Sequence, residues 1–380
     1  MNRTAIVVGG GIGGLAAAIG LHRIGWTALV LEQAPKFDAV GAGISLWPNA
    51  LRALDALGIG DDVRALDAPG GIESGVRSAG GRWLKRTGLP IVMLHRADLH
   101  SALVSAVPPE WLVPGAEVQQ VTADGEVTWT AAGAPHTERA DLVIGADGLR
   151  SVTRTQLWPD AAAPEFVGRT AWRGVTRPGG VILDAEGETM GLGGRFGILQ
   201  LRDERVYWFA ESRADRPDIR YPEPLEELRR RHGSWHDPIP RLLDATDPQA
   251  VLHHDLYHLP ALPTYVRERV VLIGDAAHAM TPDLGQGACQ ALEDVVELVA
   301  RLATGDVPAA LAGYDAARKP RTRQMARASR RMGNIGLART PAGLWAKSVL
   351  SVLTPGWLIA WGMQRVSAWD APPVPIGRPD

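Results

Sequence analysis

The chain has 380 residues, with 40 Lys and Arg against 42 Asp and Glu, 46% hydrophobic and 22% charged residues. A balance this even excludes nucleic acid held by phosphate neutralisation, and the apolar fraction belongs to a chain with a large buried core. The single cysteine, Cys289, excludes disulfides, thiolate zinc sites and iron–sulfur clusters within a monomer.

Thr4 to Val8 is a short β-rich apolar run that ends in glycines, the pattern of a strand buried on both faces of a parallel sheet. Leu15 to Ile24 reads as an alanine-rich helix and Thr27 to Leu31 as a second buried strand ending in Glu32, so the chain opens with a βαβ unit. No charged, apolar and cleavable leader precedes it, and a cytoplasmic location is expected. From Glu117 to Gly145 strands joined by turns are expected, with Asp124-Gly125 as a hairpin and Asp141 to Ile144 as the third strand. Gly168 to Glu211, notably Phe196 to Leu201 and Arg205 to Ala210, reads as an antiparallel sheet in a second lobe. Arg269 to Ile273 returns to the buried-strand pattern, followed by helices from about Gly287 to Leu302 and Ala312 to Met332. Two such buried-strand regions flanking the second lobe predict a discontinuous first domain.

Gly9-x-Gly11-x-x-Gly14 follows a strand and opens a helix, the context a dinucleotide fingerprint requires. Gly9 allows the tight turn, Gly11 lets backbone approach a pyrophosphate, and Gly14 lets helix pack on strand. Unpaired N–H groups at the helix N-terminus favour phosphate, and Glu32 ends the second strand where a carboxylate accepts from a ribose diol.

Two further strings extend this. Asp141-Leu-Val-Ile-Gly-Ala-Asp147-Gly148 resembles the Asp-Gly fingerprint of flavoprotein hydroxylases, and Arg269-Val-Val-Leu-Ile-Gly274-Asp275-Ala-Ala-His278-Ala-Met-Thr-Pro282-Asp-Leu-Gly285-Gln286-Gly287 resembles their Gly-Asp fingerprint. With the glycine motif these stand in the order found in the single-component, FAD-dependent aromatic-ring monooxygenases. Val40-Gly-Ala-Gly43-Ile-Ser-Leu-Trp47-Pro-Asn is similar to the salicylate hydroxylase and FAD-dependent urate hydroxylase branch.

The resemblance implies an α/β fold of the para-hydroxybenzoate hydroxylase type: a Rossmann-like, glutathione-reductase-like FAD domain, an antiparallel β-sheet substrate domain and C-terminal helices. The expected division is 1–70, 95–165 and 265–335 for FAD, 71–94 and 166–264 for substrate, and 336–380 as a helical segment and tail. It implies that FAD contacts come from Gly9, Gly11, Gly14, Glu32, Gly43, Arg96, Asp147, Gly274, Asp275, Gly285, Gln286 and Gly287. Pro282 is expected beside the flavin carbon that meets oxygen. Arg195 and Tyr207 are the expected substrate-positioning pair, an arginine suiting an anionic or enolate-bearing ring. Trp47, Trp172 and Trp208 are expected to face the substrate pocket.

The implied reaction is hydroxylation of a small aromatic or heteroaromatic substrate with NAD(P)H and O2, through a flavin C4a-hydroperoxide. The resemblance implies NAD(P)H as a transient co-substrate, which fits the absence of a second glycine fingerprint. Epoxidation or another oxygenation, including antibiotic modification, remains open, as does a non-catalytic flavin-binding redox protein. A monomer or homodimer is expected. His278 and Cys289 read as packing residues. The basic run Arg318 to Arg331 reads as a solvated helix face. Ser348 to Met363 is apolar but is broken at Thr354-Pro355-Gly356, too short on either side for the ~20 residues of a bilayer span. Of the chain's 13 tryptophans, Trp345, Trp357 and Trp361 gather in this segment.

Overall fold

The computed structural model describes residues 3–38, 41–68, 72–88 and 90–375. Val40, the first residue of the segment leading to Gly43, and the last five residues of the expected tail lie outside the described residues.

The glycine strand forms as read, Thr4–Val8, and pairs in parallel with Thr27–Glu32 on one side and Leu142–Gly145 on the other. The helix between the first two begins at Ile12, earlier than the apolar run suggests, because Gly11 serves as its N-cap. Leu112–Pro114 extends the sheet beyond Thr27–Glu32, and Val270–Leu272 followed by Val266–Arg267 completes it on the other edge. Helices Ile12–Arg23 and Gly287–Thr304 cover one face, with Leu15, Ala16, Ala17, Leu292, Val295 and Val299 all fully buried. Small residues on the first helix let the two approach: a Cβ on Gly20 would lie 2.7 Å from Val299.

The strand Asp141 to Ile144 joins this parallel sheet and not the hairpin before it. The third hairpin strand is Ala134–Arg139, paired with Glu126–Ala131, which pairs in turn with Glu117–Val121. Every residue of Ala134–Arg139 is exposed, so it carries no alternation that marks a strand.

A seven-stranded sheet forms the other layer, in the order Leu252–His258, Glu165–Val175, Val206–Arg213, Gly194–Gln200, Ala185–Gly191, Glu73–Ser78, Trp83–Arg86. It is antiparallel except for one pair, Ala185–Gly191 with Glu73–Ser78, where the sequence reading expected none. Period-2 alternation gives it two distinct faces. Trp172, Phe196, Ile198, Trp208 and Ala210 point to one face and pack under helices Pro224–His232 and Ile239–Asp244. Tyr207, Phe209, Leu199 and Val175 point to the other, toward Ala42 and Met93.

A 30-residue helix, Val307–Gly336, crosses both layers despite Pro320 within it. Helices Pro341–Leu353 and Gly356–Ser367 follow. Among the described residues no helix is long and apolar enough to cross a membrane.

Candidate active site

The ends of the parallel strands and the second face of the large sheet converge on one cleft. On the strand side, Gly9 holds φ +107°, and a Cβ there would lie 2.5 Å from the Ala146 carbonyl, so the glycine and Asp-Gly turns can lie this close only without a side chain. A Cβ on Gly14 would strike the Gly9 carbonyl at 1.9 Å, which fixes the pitch at which the helix leaves the strand. Gly11 is different: nothing lies within 4 Å of its Cβ position, so its backbone faces open space at the helix N-terminus. The Glu32 carboxylate accepts the Gly10 N–H at 2.7 Å and the Ala34 N–H at 2.8 Å, holding the glycine loop while keeping further acceptor sites on both oxygens.

Asp147 accepts the Thr153 N–H through Oδ2 at 2.9 Å, whereas its Oδ1 is buried without a hydrogen-bond partner among the described residues. Arg96 and Asp275 are reached by water yet surrounded by protein, as groups on the walls of a deep cleft are. Burial, helped by the Arg173 charge, lowers the Arg96 guanidinium against the pull of Asp275. Burial raises the Asp275 carboxyl, with His278 and Arg96 opposing it. Gly287, opening helix Gly287–Thr304, also has nothing within 4 Å of its Cβ position. An orphaned carboxylate oxygen, two helix N-termini with open glycine backbone, and an unbridged Arg96/Asp275 pair form a donor and acceptor set that fits a dinucleotide.

Buried polar side chains lock the Gly-Asp turn from beneath. Asp294 accepts the Gly274 N–H at 2.9 Å, His278 Nε2 at 2.5 Å and Arg318 Nε at 2.6 Å. Arg318 also donates to Glu293 at 2.5 Å, and Glu293 accepts Asn49 Nδ2 at 2.6 Å. Asn49 donates to Gln286 Oε1 at 3.0 Å, so the Gln286 side chain turns inward and only its backbone lies at the turn. Here the solvated-face reading of the basic run fails for its first part, where Arg318 is only 1% exposed and Arg321 also pairs with Glu293, and holds for Arg327, Arg330 and Arg331, which are exposed. The carboxylates that bury Arg318 lie on helix Gly287–Thr304, which a reading of its own helix does not reveal. His278 serves this network, and Cys289 is buried beside the Gly285 carbonyl, where burial pushes its thiol up to about 12.

Pro282 opens the turn Pro282–Leu284 and is exposed, followed by Gly285 in the left-handed conformation at φ +62°. Asp283 ties this turn to the large sheet, accepting Arg169 Nη1 and Nη2, each at 2.8 Å, and Arg195 Nη2 at 2.8 Å. Glu211 accepts Arg195 Nε at 2.9 Å and is also paired with Arg169. Glu188 lies 3.5 Å from Arg195. Burial opposes the Arg195 charge, but Glu188, Glu211 and Asp283 outweigh it and push the guanidinium up. The long helix approaches so closely that a Cβ on Gly333 would meet Arg169 and Asp283 at 2.3 Å.

Arg195 therefore faces carboxylates and not an open pocket, which corrects the expectation that it holds an anionic substrate. Tyr207 lies on the other face of the sheet from Trp172 and Trp208, buried with Ala42, Met93 and Leu201. It packs against Gly43, where a Cβ would lie 2.3 Å from its ring. Burial pushes its phenol up, opposed by the charge and hydrogen bond of Arg173. Trp47 stands beside the Gly285 turn, its Nε1 3.1 Å from the Gly285 Cβ position. Trp172 and Trp208 do not line the cleft: both are fully buried on the opposite face, with Trp208 Nε1 donating to Thr246 Oγ1 at 2.8 Å. Adjacent strand residues point to opposite faces, so Tyr207 and Trp208 cannot share a pocket.

The sequence reading did not single out Arg173, His254, Phe209 and Leu199, which share the sheet face of Tyr207, or Met93, which packs against it. Arg173 pairs across the sheet with Phe209, and Ala171 with His254, which puts these residues on the face of Tyr207. Burial first, then Arg173, lowers the His254 imidazole, keeping it neutral. Alternation outward from Tyr207 was the available signal for Phe209.

A family model described as FAD binding domain matches residues 2–329. The aurachin C monooxygenase/isomerase of Stigmatella aurantiaca is 36% identical, over 91% of this chain and 93% of that protein. The 2-heptyl-3-hydroxy-4(1H)-quinolone synthase of Pseudomonas aeruginosa is 32% identical, over 93% of this chain and 94% of that protein. Klebsiella pneumoniae HpxO, solved in complex with FAD and uric acid, superposes with a TM-score of 0.86 at 27% identity, covering 96% of each chain. The chain belongs to the FAD-dependent aromatic-ring monooxygenases and is an FAD-binding oxidoreductase.

Proposed function

We propose that the chain hydroxylates an oxygen-bearing nitrogen heteroaromatic ring, using NAD(P)H and O2. The reaction consumes one NAD(P)H, one proton and one O2 and yields the hydroxylated ring, NAD(P)+ and water. The observation that carries this reading is the sheet face that bears Tyr207. There Tyr207, Leu199, Val175 and Phe209 make a largely apolar wall, and Arg173 and His254 place one cation and one neutral imidazole among them. An apolar slot with few polar groups suits a flat ring carrying a carbonyl or hydroxyl. The relatives named for a quinolone and for bound uric acid act in the same direction.

Bound FAD supplies electron transfer and oxygen activation. The proposed holding residues are Gly9, Gly11 and Gly14 with Glu32 for the nucleotide end. Arg96, Asp147, Gly274 and Asp275 hold the middle, and Gly43 with the backbone of Gly285, Gln286 and Gly287 holds the ring end. The helix starting at Gly287 would favour negative charge on a ring held at its N-terminus. Tyr207 and Trp47 position the substrate ring. Arg173 stabilises negative charge on the substrate oxygen, which makes the neighbouring ring carbon more electron-rich. The Arg169–Glu211–Arg195–Asp283 cluster holds Pro282 in register with this wall and helps keep the pocket dry.

The test is a screen of phenols, aromatic acids, quinolones and purines for stimulated NADH or NADPH oxidation by the FAD-loaded enzyme, with products identified by mass. The reading predicts a product heavier by one oxygen from a heteroaromatic substrate. Stimulation by aromatic acids alone would contradict the proposed substrate class.

A further inference from the structure

The two C-terminal helices carry an apolar surface that the reaction does not explain. Among the described residues, nine of the twelve large hydrophobic side chains exposed to solvent lie between Met332 and Trp361. Trp345 is 69% exposed, Leu353 71% and Trp357 72%, and no residue of helix Pro341–Leu353 is buried. Trp357 and Trp361 are one helical turn apart and share a face.

This is a built platform and not a loose tail. Thr340 caps its first helix, its Oγ1 accepting the Gly343 N–H at 3.1 Å. Lys85 Nζ donates to the Thr354 carbonyl at 2.7 Å, fastening the bend between the helices to the large sheet. Beyond the second helix, Arg52 donates to the Trp369 carbonyl at 2.9 Å and Arg321 to the Ala368 carbonyl at 2.9 Å.

Charge decides what this face meets. Residues 316–369 contain ten Lys and Arg and no Asp or Glu. Arg318, Lys319 and Arg321 are spent on internal carboxylates and Arg330 donates to His258 Nε2 on the far edge of the large sheet, whereas Arg327, Arg331, Arg339 and Arg365 are exposed. A two-fold contact with a second copy would set this face against itself, bringing cation to cation with no carboxylate from the stretch between them. Anionic lipid headgroups offer the complementary charge, and acyl chains take the apolar side chains. Indoles concentrate where hydrocarbon meets water, and helices of 13 and 12 residues are too short to span but long enough to lie in that plane.

We propose that helices Pro341–Leu353 and Gly356–Ser367 seat the enzyme on an anionic membrane surface, with the tryptophans inserted at headgroup level.

The experiment is flotation of the full-length, FAD-loaded protein with vesicles of phosphatidylcholine alone or with added phosphatidylglycerol. Binding is expected on the phosphatidylglycerol vesicles, weakened by salt. Arg331→Ala and Arg339→Ala should each reduce it about five-fold. Trp357→Ser with Trp361→Ser should abolish it while FAD content and circular dichroism stay unchanged. Absence of flotation of the unaltered protein with phosphatidylglycerol vesicles overturns the proposal, as does equal flotation with both vesicle types. A dimer that Trp357→Ser dissociates, with no vesicle binding, would assign the face to a second copy instead.

Discussion

Replacing Arg195 by glutamine separates two accounts of this residue. In the structure two guanidinium groups, Arg169 and Arg195, face two buried carboxylates, Glu211 and Asp283, whose side chains are 1% and 0% exposed. Arg195→Gln leaves one cation for both carboxylates. Removing one member of a buried ion pair costs about 3–5 kcal/mol. Spread over the unfolding entropy of 380 residues, that is a fall in Tm of about 4–6 °C. Thermal unfolding of the FAD-loaded enzyme, followed by circular dichroism at neutral pH, reads it. Adding Glu211→Gln leaves Arg169 facing Asp283 alone and should restore most of the loss. The pH dependence has a definite sign. Burial would raise the Asp283 carboxyl, but the hydrogen bond from Arg169 and the two guanidinium charges hold it below its ordinary value. Its stabilisation is therefore complete above the unfolded carboxyl value of about 3.9 and is lost as pH falls through the lower folded value. The variant should show a shallower acid transition. If Arg195→Gln melts with the unaltered enzyme and changes only the KM for substrate, Arg195 is a substrate ligand and the strut account is wrong.

Arg173→Ala should raise KM for an oxygen-bearing ring with Tm nearly unchanged, measured by steady-state NAD(P)H oxidation; an unchanged KM removes Arg173 from the pocket. Asp275→Asn should lower FAD content after dialysis. Because burial raises the Asp275 carboxyl, the FAD-free protein loses stability as pH rises from the unfolded carboxyl value through the folded one. The FAD-free Asp275→Asn variant should therefore melt above the FAD-free parent at neutral pH. His232 sits between Phe196 and Trp235, with both ring nitrogens lacking partners among the described residues, and burial lowers it to about 4. The interval from 6.5 is worth about 3 kcal/mol, a penalty that grows as pH falls from 6.5 to about 4. His232→Phe should remove that part of the acid destabilisation in a melting series, and an identical pH profile would refute the assignment.

The elements that were legible in sequence are those whose geometry tolerates few residue types. Gly9 needs a positive φ and a missing Cβ beside Ala146, and such requirements leave a written mark. The parallel strands carry continuous apolar runs because both faces are covered. Contacts between distant segments leave no such mark. Nothing near Arg195 in sequence announces that Asp283, from another fingerprint, accepts its hydrogen bond. Arg318 looks like one of many surface arginines until Glu293 and Asp294 on the preceding helix are packed against it. The tryptophans lie between these cases: Trp208 was expected in the pocket although its alternation with Tyr207 already assigns it to the other face, while placing Trp172 needed the register of Glu165–Val175 against Val206–Arg213. The exposed Trp345, Trp357 and Trp361 were visible as a cluster, while their outward direction required the fold.

The proposed reaction inserts one oxygen atom from O2 into an aromatic ring. The most direct measurement is a single turnover of the FAD-loaded enzyme with NAD(P)H, a substrate found in the screen and oxygen-18 gas, followed by mass spectrometry of the product. One heavy oxygen in the ring product is expected for each NAD(P)H consumed in coupled turnover. A product whose new oxygen comes from water, or NAD(P)H consumption with no oxygenated ring from any substrate, would contradict it.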